Sequence, residues 1–100
     1  MEKYALQITP EAESDVDVAY EYISDHLSNH QAAFDLCEAI WDAVEGPSSL
    51  PLRFPVWRNE PWKSQGVRSM PVKNYLVFYH VNELLHHVTI LRVFYNRRNA

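Results

Sequence analysis

The sequence predicts an α+β domain with the element order β-α-α-β-β-β. In it, an antiparallel-rich, four-stranded sheet carries a helical hairpin packed on one face. Three observations predict this fold. Between Gly66 and Arg98, three runs rich in β-branched and aromatic residues are separated by turns of two to four residues, as in an antiparallel meander. Between Pro10 and Val44, apolar residues recur at gaps of three and four on either side of a polar corner at Ser28. Tyr4, Leu6 and Ile8 share one face of a short strand by the period of two. One hundred residues, 47% of them apolar and only two of them glycine, make a single domain over residues 1–100 with one core.

After the first strand, Thr9 is expected to accept a hydrogen bond from a free helical N–H, and Pro10 suits the first helical position. The stripe Ala12, Val16, Ala19, Tyr20, Ile23 and Leu27 is the buried face, while Asp17, Glu21 and Asp25 face water. Glu11, Glu13 and Asp15 lie near the positive end of the helix dipole. Ser28 and Gln31 have capping-box spacing and open a second helix. Its stripe is Ala33, Cys37, Ile40, Trp41 and Val44 with Leu36 on the flank, and Gly46-Pro47 is expected to stop it. Neither helix hides its stripe alone, so the hairpin packs on the sheet.

Residues 50–65 are irregular, since Pro51, Pro55 and Pro61 exclude a long helix or a central strand. Phe54, Trp57 and Trp62 read as cover for the core or as a partner hot spot. In the meander, Lys73-Asn74 is a two-residue hairpin in which Asn74 is expected to tolerate positive φ. Tyr75, Val77, Tyr79 and Val81 form one face of the middle strand, and Leu76, Phe78 and His80 the other. Both faces are apolar, so this strand is central. In the last strand, Val88 and Ile90 fall out of parity with Val93 and Tyr95, which predicts a β-bulge near Leu91-Arg92. The outer sheet face is expected to be left for solvent or a partner, and an exposed apolar face favours self-association.

Composition narrows the function. The lone Cys37 excludes an internal disulfide and lies in an apolar stripe, so it reads as a packing residue. No basic-then-apolar opening segment and no apolar run near ~20 residues occur, which predicts a cytoplasmic protein with no membrane partner. The five histidines give no ligand set with metal spacing, and no cofactor is expected. The net charge of -4 conceals a balance of -10 over residues 1–45 and +6 over residues 46–100. Such a dipole orients a partner toward the basic side.

The segments Gly66-Val67-Arg68, Val72 to Tyr79, and Val88 to Arg98, with Tyr4 to Asp15 and the Pro-rich stretch after the second helix, together resemble the RelE/ParE toxin superfamily, closer to its ParE branch. The resemblance spans nearly the whole chain and implies the β-α-α-β-β-β fold already read from the residues. It also implies the toxin of a type II toxin–antitoxin, or plasmid stabilisation, module, neutralised by a cognate antitoxin. One branch blocks DNA gyrase by binding. The other cleaves mRNA on the ribosome and needs cations and a Tyr or His around the scissile phosphate. Leu76 stands where that ribonuclease branch commonly has Arg, and Met70 stands where lysines are usual, so the gyrase-type reading is favoured. Arg68, Arg92, Tyr95, Arg97 and Arg98 are the expected target- or antitoxin-binding residues. Arg68, Arg92 and Tyr95 are the catalytic set under the ribonuclease alternative. A degenerate member that only pairs with its antitoxin is the third reading.

Overall fold

The computed structural model describes residues 4–49 and 51–96; Arg97 and Arg98 fall outside the described residues. The elements are β1 (Ala5–Ile8), α1 (Pro10–Glu21), a π-helical turn (Tyr22–His26), α2 (His30–Ser49), a short α3 (Trp62–Gln65), β2 (Arg68–Val72), β3 (Tyr75–Asn82) and β4 (His87–Tyr95). The strands lie in the order β1-β4-β3-β2. β1 runs parallel to β4, pairing Ala5 with His87 through Ile8 with Ile90, and the other two ladders are antiparallel. This is the predicted α+β order with α3 added.

The helices cover one sheet face because their stripes supply the apolar surface that face needs. Ala12, Val16 and Ala19 of α1 meet Leu36, Ile40 and Val44 of α2 over Met70, Val77, Tyr79, Val88, Ile90 and Val93. The parity conflict in β4 is resolved as expected. Tyr79 pairs with Ile90 and Phe78 with Arg92, so Leu91 is the extra residue of a bulge. The bulge lets Val88, Ile90 and Val93 all face the helices.

The structure differs from the sequence reading in the helical hairpin. α1 yields to the π turn after Glu21, and the wider turn rotates the stripe. Ser24 therefore takes a buried place, with its Oγ hydrogen-bonded to His30 Nδ1, while Leu27 turns toward solvent; Tyr20, ahead of the turn on α1, is exposed as well. Asn29, not Ser28, caps α2: its Oδ1 accepts from the Ala32 N–H at 3.0 Å. Ser28 has φ 51° and makes the corner, and Gln31 donates to Asp35 instead of reaching back. Gly46-Pro47 does not stop the helix: α2 runs on to Ser49. Leu36 is core and Cys37 packs partly buried against it, whereas Trp41, expected in the buried stripe, is exposed.

Two further corrections concern the sheet. In the β2–β3 turn the left-handed residue is Lys73, at φ 52°, and not Asn74. The outer face of the sheet is not bare: Trp57 packs edge-on to Phe78 at 5.1 Å and Trp62 tilts over it at 4.5 Å, leaving Phe78 buried. Residues 51–65 are thus a lid held by aromatic packing. Its Val56 bridges to Arg68 and shields part of the β2 edge, where Pro71 is also placed.

Candidate functional site

β1 stops pairing at Ile8, so β4 runs on past it with a free edge from Leu91. The N-terminal half of α1 fills that gap with side chains. Thr9 accepts from the Ala12 N–H at 3.0 Å as the N-cap, and its hydroxyl donates to the Leu91 carbonyl at 2.9 Å. Asp15 takes the other exposed backbone group of the bulge: its Oδ2 accepts from the Val93 N–H at 2.9 Å. The same carboxylate receives Arg92 in a fork, with Nε at 2.8 Å from Oδ2 and Nη2 at 3.0 Å from Oδ1. Burial works to raise the Asp15 pKa. The Arg92 hydrogen bonds, the Val93 N–H and the Arg92 charge outweigh it and hold the carboxyl below its ordinary value.

Beside this clamp lies an open cleft of about 740 Å³ between α1, the π turn and the ends of β3 and β4. Its walls are Val18, Tyr22 and Leu27 on the helical side and Tyr75, Phe94 and Tyr95 on the sheet side, with Asp15 among the lining residues. Leu27 is 57% exposed, Val18 63% and Tyr22 52%, so apolar surface stands open to solvent here. The Tyr95 ring meets Tyr75 edge-on at 5.5 Å. The Tyr75 phenol is pushed up, first by burial and then by the neighbouring Tyr95 and Tyr22.

The residues expected to act together are dispersed. Arg68 pairs across to Tyr79, on the helix side of the sheet, while Arg92 pairs with Phe78, whose side chain points the opposite way. They also stand on β2 and β4, separated by β3, roughly 10 Å between strands before the faces are counted. Arg68 Nη1 donates to the Phe54 carbonyl at 2.6 Å and lines a second, smaller cleft with His80, Asn82 and Glu83. Arg92 and Tyr95 are closer in the chain, yet Arg92 lies over Phe94 at 4.5 Å and is held by Asp15. Tyr95 faces the apolar cleft. Arg68 thus stands across β3 from Arg92 and Tyr95, and Arg92 and Tyr95 lie on opposite sides of β4. Among the described residues, no three His, Cys, Asp or Glu side chains gather as a metal site, and no helix is long and apolar enough to cross a membrane.

The sequence reading did not single out Asp15. The signal was present: Asp15 stands three residues after Ala12 and four before Ala19, both buried, so a carboxylate sits on the inward flank of α1.

A helical hairpin on a mixed β1-β4-β3-β2 sheet is the architecture of the RelE/ParE superfamily of small toxins. A family model described as the ParE toxin of the type II toxin-antitoxin system parDE matches residues 6–100, and the chain belongs to that toxin family. Solved structures bear out the fold. A chain of the chromosomal ParDE toxin–antitoxin system from P. aeruginosa is 19% identical with TM-score 0.75, over 95% of this chain and 98% of that one. A chain of the toxin–antitoxin complex RelBE2 from Mycobacterium tuberculosis is 22% identical with TM-score 0.60, over 93% and 98%. A chain of the archaeal RelE–RelB complex from Pyrococcus horikoshii is 18% identical with TM-score 0.56, over 96% and 98%. No curated protein matches the chain.

Proposed function

We propose that this type II toxin acts in the cytoplasm by binding and inhibiting DNA gyrase, and that a cognate antitoxin neutralises it by occupying the apolar cleft. The observation that carries the first half is the separation of Arg68, Arg92 and Tyr95 onto different faces and clefts. RNA cleavage by 2′-hydroxyl attack needs a base, an acid and cations around one phosphate, and these groups do not supply that arrangement. A binding inhibitor needs no such convergence. The antitoxin half is supported by the exposed Val18, Tyr22 and Leu27 walls, and by the ParDE and RelBE complexes whose toxin fold this chain shares. Arg97 and Arg98 would add positive charge next to Tyr95 in sequence, where an acidic segment is favoured.

The test is a supercoiling assay with purified gyrase and the chain alone, then with antitoxin added. Inhibition that the antitoxin reverses is expected, and Leu27→Asp should weaken antitoxin binding by about tenfold or more by removing an apolar wall. Unimpaired supercoiling at high excess of toxin, together with codon-phased cuts in mRNA after induction, would overturn the gyrase reading in favour of the ribonuclease one.

A further inference from the structure

The cleft is not the only surface built for a partner. α1, the π turn and α2 carry ten carboxylates and no lysine or arginine, whereas none of the four strands carries a carboxylate. The helical side is therefore acidic and the strands are not. On the outer side, the lid and sheet form a chain of rings, from Trp57 through Phe78 and Trp62 to Phe94. Cations sit on this floor. Arg58 lies over the Trp57 ring at 5.3 Å and Arg92 over Phe94 at 4.5 Å. Lys63, exposed, follows Trp62 in α3 at the edge of this floor. The lid's one carboxylate, Glu60, is turned to its own helix, accepting from the Ser64 N–H at 2.8 Å. Arg92 is matched by Asp15, and among the described residues Arg58 and Lys63 have no ion pair.

We propose that this outer face is a second docking surface, separate from the cleft, and that it takes an acidic polypeptide segment. Arg58 and Lys63 supply the attraction, and the locked aromatic floor supplies apolar contact at small entropic cost. The ring packing favours a polypeptide over a nucleic acid. Stacking a base requires a free ring face, but Trp62 is already packed on Phe78 and Phe94, and Arg58 covers Trp57. Two free cations are also few for a phosphate backbone.

Trp57 and Trp62 report on this face, and in a Trp41→Phe background they are the only tryptophans. The emission of that protein is titrated with a short poly-L-glutamate peptide, and separately with oligo-dT of equal charge. A saturable change with poly-L-glutamate is expected. Affinity should fall by about tenfold in Arg58→Glu/Lys63→Glu and with added salt, and stay unchanged in Leu27→Asp, which alters only the cleft. Lys63→Glu alone leaves the Arg58 contact with Trp57 in place, so weaker binding there separates lost charge from a loosened lid. Absence of an emission change, equal affinity in the charge-reversed variants, or tighter binding of oligo-dT than of the peptide would overturn the proposal.

Discussion

Removing the Asp15 carboxylate tests whether α1 holds the β4 bulge in place. In Asp15→Ala, the Val93 N–H loses its acceptor while remaining beside a side chain that is only 4% exposed, where water is a poor substitute. A buried donor left unpaired costs about 1–3 kcal/mol. The Arg92 contact adds little, because that side chain is 39% exposed and readily hydrated. The expected loss is therefore about 2 kcal/mol, which lowers Tm by roughly 10 °C in a domain of this size. Asp15→Asn keeps a carbonyl oxygen for Val93 and should lose no more than about 1 kcal/mol. Urea unfolding at neutral pH, followed by circular dichroism, ranks the three proteins. The depressed pKa of Asp15 fixes the pH dependence. A carboxyl whose folded pKa lies below its unfolded one contributes fully above the unfolded value, and that contribution is lost as pH falls through the folded value. The stabilities of wild type and Asp15→Asn should thus differ by a constant amount at neutral pH and draw together in acid. A wild-type midpoint in Asp15→Ala, or equal losses in the two variants, would refute the clamp.

Three other outcomes follow from the packing and charges of single residues. Thr9→Ala removes both the α1 cap and the donor to Leu91, so it should cost about 1–2 kcal/mol in urea unfolding, with Thr9→Ser restoring most of it. Trp62→Ala strips the cover from Phe78; because Trp62 is half-buried, the loss should be about 2 kcal/mol, below that of a fully buried tryptophan, with raised binding of an apolar dye. The Cys37 thiol is pushed up first by burial and then by the Asp17 charge, so its labelling by a disulfide reagent should lag a free thiol at mildly alkaline pH, and Asp17→Asn should narrow the gap.

Much of this was legible in the sequence because periodicity reports burial. Ala12, Val16 and Ala19 announced the inner face of α1, and the mismatch between Ile90 and Val93 announced the bulge. The π turn was not legible, since Ser24 moves inward only when the turn widens, and a 3.6-residue period assigns that place to Ile23 and Leu27. Nor was the end of α2, where Gly46-Pro47 reads locally as a stop but the long helix continues through it. For the site, the type of residue was visible and its company was not. Arg68 and Arg92 were correctly placed on strands, but their separation depends on the register opposite Tyr79 and Phe78, which pairing sets and neither strand encodes alone. The lid aromatics read as cover or as a partner hot spot from sequence, and Phe78 is the residue that places Trp57 and Trp62 as cover.

The parallel pairing of β1 with β4 has a consequence for how the molecule is born. Ala5 must find His87, 82 positions later. At cellular rates of synthesis that interval lasts roughly several seconds. Throughout it the first strand has no neighbour, the hairpin helices have no finished platform, and the Asp15 carboxylate has nothing to hold. The sheet thus stays incomplete until β4, which lies between β1 and β3, has been made.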